Sequence, residues 1–235
     1  MNMTPIVFLP GLLCDAAVWA PQLAALGRSA TVVHYGRADT LAGMARIALA
    51  VAPPGRFALA GHSMGGRVAF EMLRLAPERV ERVALLDTGC APLPAGEAGE
   101  KERAFRMGLL ATARRDGMRT MAAEWARGMV HPGRVGGPVF DIVLDMFERR
   151  DPDTFAAQLQ ALLARPDATA LLPSIGCPAL FLTGAEDDWS PPASHRAMHE
   201  ATSGSRLVVV PDCGHMSTIE APQAVNAALA AWLAA

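Results

Sequence analysis

The sequence predicts an α/β fold: a doubly wound, mostly parallel sheet of about six strands, flanked by helices, with an inserted helical cap. Three observations carry this. Short continuous apolar runs alternate with longer helix-like stretches, the alternation fails once over residues 91–173, and a glycine-rich turn joins one apolar run directly to a helix. Continuous apolar runs, rather than in/out alternation, mark parallel strands covered on both faces.

The strand candidates are Ile6–Leu9, Thr31–Tyr35, Phe57–Ala60, Val83–Asp87, Ala179–Thr183 and Arg206–Val210. Between them lie the helix candidates Ala16–Leu26, Thr40–Val51, Gly65–Ala76, His195–Ala201 and Pro222–Leu233. Alternation of this kind specifies a parallel sheet with right-handed crossovers. Residues 1–90 and 174–235 therefore read as the core. The interruption reads as a helical cap over residues 91–173, with helix-like segments at Glu100–Arg115, Met118–Gly128, Val139–Arg149 and Asp153–Leu163. Ligands of open parallel sheets bind beyond the carboxyl ends of the strands, where such a cap would lie.

Composition excludes other classes. Of 235 residues 51% are hydrophobic and 19% charged, so the chain is not a disordered one. With 21 basic against 23 acidic residues, nothing in the charge points to nucleic acid or an anionic membrane surface. No apolar run is long enough to span a bilayer, and the N-terminal MNMTPIVFLP lacks the basic flank of a secretory signal. Cys14, Cys90, Cys177 and Cys213 are widely spaced, and a core of this size needs no disulfides. The expectation is reduced thiols in a cytoplasmic protein.

The turn is Gly61-His62-Ser63-Met64-Gly65, between the strand Phe57–Ala60 and a helix. This is the strand–turn–helix setting of a nucleophile elbow, where glycines give clearance around a strained serine. It lacks the lysine of a phosphate-binding loop. A serine hydroxyl needs a base, and His215 follows the final strand candidate on a loop at the same sheet edge. His62 is expected to pack beneath the nucleophile. His195 and His199 lack a third metal ligand of suitable spacing and read as solvated surface. No metal or organic cofactor is expected.

The base needs an orienting carboxylate. Asp187 follows the strand Ala179–Thr183 and gives the chain order Ser, Asp, His; Asp188 beside it and Asp87, at the end of Val83–Asp87, are the alternatives. Backbone N–H groups of Met64 and Leu12 are the candidate oxyanion donors, one after the nucleophile and one in the loop after the first strand. Leu13, Trp19 and Trp189 are candidate pocket walls, with Cys14 nearby. Arg103, Arg106, Arg114, Arg115 and Arg119 read as a solvated helix face, and a carboxylate-bearing substrate would need one arginine to turn inward.

PGLLCDAAVW, GHSMGG, GAEDDWSP and CGHMSTIEAP together resemble the α/β-hydrolase superfamily, especially its compact capped esterases and enol-lactonases. The resemblance covers nearly the whole chain. It implies Ser63 as nucleophile, Asp187 as acid, His215 as base, and Leu12 and Met64 as the oxyanion hole. Many relatives carry His-Gly where this chain has Pro10-Gly11, and the antiparallel hairpin that opens the full fold is not expected here. The implied activity is hydrolysis of an ester, lactone or thioester of a small-molecule acyl substrate, faster as His215 deprotonates. The same residues would also serve C–C bond hydrolysis or a lyase step, or a slowly hydrolysing ligand receptor.

Overall fold

The structure, a computed structural model, describes residues 4–27 and 29–235. Met1, Asn2 and Met3 of the N-terminal reading lie outside it, as does Arg28.

The chain runs β1 (Ile6–Leu9), α1 (Ala20–Leu26), β2 (Ala30–Val32), α2 (Leu41–Val51), β3 (Phe57–His62), α3 (Met64–Leu75) and β4 (Val80–Leu86). Four helices follow without a strand: α4 (Glu97–Asp116), α5 (Met118–Trp125), α6 (Pro138–Glu148) and α7 (Pro152–Leu163). The sheet pattern resumes with β5 (Ala179–Gly184), α8 (Pro192–Glu200), β6 (Arg206–Val210), α9 (Ser217–Glu220) and α10 (Pro222–Ala234). The six strands are all parallel, in the order β2-β1-β3-β4-β5-β6.

β1, β3 and β5 are buried at every position, while the edge strands β2 and β6 are partly open. This is the burial expected of central parallel strands between helical layers. α2 packs on α3, and α1 packs on α10. β1 hands the chain to β2 on one side while β3 lies on its other side, so the order reverses between β1 and β3. The crevice at such a reversal, beyond the carboxyl ends, is where open α/β sheets bind ligands.

Several elements depart from the sequence expectation for local reasons. The predicted helix Ala16–Leu26 splits into a 3₁₀ turn over Ala16–Trp19, capped by Asp15, and α1. Pro21 has no N–H to donate and fits only the first turn of a new helix. The second strand starts at Ala30, and its ladder ends when the Val33 N–H donates to Phe8 O at 3.0 Å. Gly36 has φ 58°, and Tyr35 turns inward to donate its hydroxyl to Pro10 O at 3.3 Å. The apolar run thus continues into the core after leaving the sheet.

No described helix is long and apolar enough to cross a membrane.

Candidate active site

Ser63 occupies the one-residue turn between β3 and α3, at φ 53° and ψ −117°. A non-glycine residue reaches that region only under constraint from its surroundings. The Ser63 N–H donates to Leu86 O at 2.9 Å, and the Thr88 hydroxyl donates to Ser63 O at 2.7 Å. The flanking glycines are required by close approach: a Cβ on Gly61 would lie 2.5 Å from Gly65 O, and one on Gly65 would collide with Leu9 O. Backbone meets backbone here, so neither contact can be relieved by moving a side chain.

The Ser63 Oγ lies 2.8 Å from His215 Nε2, and His215 Nδ1 lies 2.9 Å from Asp187 Oδ2. His215 is carried on the loop between β6 and α9, and its N–H donates to Met129 O at 2.7 Å. Asp187 is 2% exposed, and its Oδ1 accepts the N–H groups of Trp189 and Ser190, each at 2.9 Å. Burial alone would raise this carboxyl. The His215 ring and the two N–H groups outweigh it and hold the group below the usual carboxylate range. With Asp187 ionised, His215 keeps its proton on Nδ1 and presents a free Nε2 to Ser63.

The other two carboxylates are placed differently. Asp188 is exposed. Asp87 is fully buried and takes the Gly184 N–H at 3.2 Å and the Ser217 hydroxyl at 2.5 Å, away from the His215 ring. Burial, and then the nearby Asp187, push the Asp87 carboxyl well above its ordinary range.

His62 lies beneath the site, 1% exposed, and donates from Nε2 to His215 O at 2.8 Å. Burial, and then the His215 ring, pull its imidazole down to about 3, so it stays neutral. His195 corrects the sequence reading of solvated surface. It is wholly buried, and its Nε2 accepts the Thr88 N–H at 3.2 Å. His199, partly buried, pairs through Nδ1 with the Ser205 hydroxyl at 2.7 Å.

A cleft of about 240 Å³ opens over Ser63, walled by the loop after β1, the start of α3, and the helical insertion. Leu12, Met64 and Trp189 line it, as does Cys14. Leu13 and Trp19 do not. Both are fully buried in the core, Trp19 stacking on Phe8 at 4.6 Å and meeting the His62 ring edge-on at 6.4 Å. Leu13 sits at φ 60°, its N–H donated to Gln158 Oε1 at 2.8 Å. Burial pushes the Cys14 thiol up to about 12, so it is not a ready thiolate in the cleft.

A profile of the alpha/beta hydrolase family matches residues 4–228. The chain belongs to that family.

Two solved structures are similar to this alpha/beta hydrolase over almost its whole length. An esterase from Thermogutta terrifontis, solved with malate bound, is 27% identical at a TM-score of 0.86, covering 99% of this chain and 90% of that one. The enol-lactonase of Burkholderia xenovorans LB400 is 26% identical at a TM-score of 0.83, covering 100% of this chain and 93% of that one. Among curated relatives, the dihydrolipoyllysine-residue acetyltransferase component of the acetoin cleaving system of Pseudomonas putida is 28% identical over 95% of this chain. This hydrolase spans only 58% of that relative's length.

Sequence reasoning missed the contacts between the core and the helical insertion. Gln158 fixes the loop after β1, and Glu220 accepts the N–H groups of Met216 at 3.0 Å and His131 at 2.7 Å, tying the His215 loop to the insertion. Arg106 corrects the reading of a solvated arginine face: with Arg67 and Arg165 it lines the cleft. No spacing rule marks any of these. His131, Glu186 and Asp212 also gather, their ligand atoms within 4.8 Å of one another. His131 Nδ1 already takes the Gly133 N–H and Glu186 the Cys213 N–H, so the group fastens neighbouring loops.

Proposed function

We propose that this hydrolase cleaves a carboxylic ester, lactone or thioester of a small molecule through an acyl-enzyme on Ser63. The observation that carries the reading is the continuous relay from Ser63 Oγ through His215 to Asp187, at 2.8 and 2.9 Å. His215 Nε2 takes the Ser63 proton as Oγ attacks the substrate carbonyl. Asp187 holds the imidazolium that forms. The carbonyl oxygen gains its negative charge against the N–H groups of Met64 and Leu12. Met64 is the first residue of α3, so its N–H lacks an intrahelical acceptor and sits at the positive end of the helix. Each such donor lowers the barrier by about 3–4 kcal/mol.

The imidazolium then protonates the departing alcohol or thiol. Water enters, gives its proton to His215 and attacks the acyl-enzyme, and collapse returns the proton to Ser63 and frees the acid. No cofactor is needed for this sequence. The helical insertion acts as a cap that shapes the acyl site, since it supplies one wall of the cleft. The esterase and lactonase names of the similar structures agree with this chemistry. The four cysteines are unpaired, in keeping with a reducing, cytoplasmic setting.

The test is labelling by a fluorophosphonate together with turnover of 4-nitrophenyl acetate and butyrate. The expected result is stoichiometric modification at Ser63 and a rate that Ser63→Ala abolishes. Turnover that survives Ser63→Ala overturns the reading.

A further inference from the structure

Three guanidinium groups meet in the cleft over Ser63, and they come from separate elements. Arg67 lies in the first turn of α3, four residues after the nucleophile, Arg106 lies on α4, and Arg165 follows α7. The Arg67 guanidinium lies against Gly89 and Ala91, and Arg67 lines the same cleft as Ser63. Arg165 is 8% exposed, and the Arg106 side chain is 11% exposed.

Two carboxylates line the same cleft. Glu102 is fully engaged: its Oε1 accepts from Arg106 Nε and Arg165 Nη1, and its Oε2 from Arg165 Nη2, each at 2.8 Å. Asp188 is exposed to solvent and forms no ion pair among the described residues. Arg67 has no carboxylate partner among those residues. Its Nη1 donates to the Ala91 carbonyl at 2.8 Å, which supplies no charge. Arg165 Nε is buried with no hydrogen-bond partner. The Arg106 guanidinium lies 5.9 Å over the Trp189 ring, which keeps it at the cleft wall.

Cationic donors removed from water are costly unless an anion or acceptor meets them. Here Glu102 answers for two guanidinium groups, and the third is left over. Burial and the charge of Arg165 both disfavour the protonated form of Arg67, and an incoming anion would relieve both. The planar guanidinium is suited to a carboxylate, which it can bind through two parallel hydrogen bonds. The cleft of about 240 Å³ limits that anion to a short molecule, one whose ester carbonyl and carboxylate span the distance from Ser63 to the arginines.

We infer that the substrate carries its own carboxylate, as in the half-ester of a short dicarboxylic acid, and that Arg67, backed by Arg106 and Arg165, binds it. This rests on the serine-hydrolase reading above for the bond that is cleaved. The carboxylate takes no part in bond making or breaking; it holds the acyl chain so that the ester carbonyl faces Ser63.

The experiment compares monomethyl glutarate with methyl pentanoate, which keeps the chain and replaces the carboxylate by a methyl group. Methanol release is followed in the parent, Arg67→Gln and Arg67→Lys. The parent is expected to favour the half-ester in kcat/KM by about 10–100-fold, the value of a hydrogen-bonded charge pair. Arg67→Gln should collapse that preference mainly through KM, and Arg67→Lys should restore part of it. Equal turnover of both esters, or a preference that Arg67→Gln leaves intact, overturns the inference while the hydrolase reading stands. Absence of fluorophosphonate labelling at Ser63 would instead count against the hydrolase reading. In that case, or if neither ester is turned over, glutarate is titrated into Ser63→Ala by calorimetry. Saturable binding that weakens on adding Arg67→Gln supports the carboxylate site, and no binding overturns it.

Discussion

Asp87 and Asp187 approach the His215 loop from the ends of adjacent strands, and only Asp187 reaches the imidazole ring. Asp87 instead joins the Ser217 hydroxyl, two residues past His215, and the Gly184 N–H. The two carboxyls are pushed in opposite directions, Asp187 below the usual range and Asp87 well above it. The first is therefore a charge beside the His215 ring, and the second a carboxyl that holds its proton more tightly than usual.

That difference predicts unequal variants. In the proposed mechanism Asp187→Asn removes the charge that orients and stabilises the imidazolium, and it should lower kcat by about 10³–10⁴-fold. Asp87→Asn keeps the shape of a carboxyl that does not touch the His215 ring and should keep kcat within about tenfold. Steady-state hydrolysis of 4-nitrophenyl butyrate by both variants decides between the carboxyls. The reverse ranking would make Asp87 the partner of the base.

His62 holds His215 through its backbone, donating to the carbonyl oxygen at 2.8 Å. His62→Leu leaves that buried acceptor unmet, at a cost of about 1–3 kcal/mol. Thermal unfolding should show the loss, and slower fluorophosphonate labelling of Ser63 should show that the base has shifted. His62→Gln can still donate and should recover part of both. A His62→Leu protein that labels at the parent rate would mean that this hydrogen bond does not position the base.

The buried histidines make stability depend on acid. Burial pulls His195 from its ordinary 6.5 to about 4 and His62 to about 3, so the unfolded chain protonates them first as pH falls. Their contribution is complete above about pH 6.5 and is lost on descent through the folded values. Asp87 acts in the opposite sense, because the fold retains a proton that the unfolded chain releases above about pH 4. Two histidines against one carboxyl leave a net loss of stability on acidification between about pH 6.5 and 4. His195→Gln keeps an acceptor for the Thr88 N–H but has nothing to titrate. Urea unfolding at pH 4.5, 5.5 and 6.5 should show its slope shallower than the parent's by about 1 kcal/mol per pH unit. Parallel slopes would mean that His195 is not held neutral.

The sheet, the elbow and the meeting of Ser63, Asp187 and His215 were legible because each depends on a local pattern. Buried parallel strands write themselves as apolar runs, and the elbow as glycines around a serine. Strand ends then carry the chemical groups to one edge. Leu13 and Trp19 read as pocket walls in the sequence but lie in the core, because sequence distance from the loop after β1 does not say which side of that loop a residue occupies. His195 reads as surface in the sequence because its acceptor role depends on Thr88, 107 positions away. Arg106 was hidden within a charged helix whose inward face is set by Glu102 and Trp189.

Gln158 follows from none of those patterns, and it supports the candidate oxyanion loop. It is 5% exposed on α7, and its Oε1 takes the N–H of Leu13, one residue past Leu12. Leu13 is held at φ 60°, a left-handed conformation that a leucine adopts only when its neighbours impose it. Gln158→Leu fills the space but removes the acceptor, leaving a buried N–H unpaired at a cost of about 1–3 kcal/mol. If the loop relaxes, Leu12 N–H moves away from the place where the substrate oxygen gains charge, and kcat should fall by about 10–100-fold with little change in KM. Gln158→Glu retains an acceptor for that N–H and should lose less. A Gln158→Leu enzyme that unfolds earlier yet keeps the parent's kcat would separate the loop's stability from oxyanion binding and remove Leu12 from the proposed mechanism.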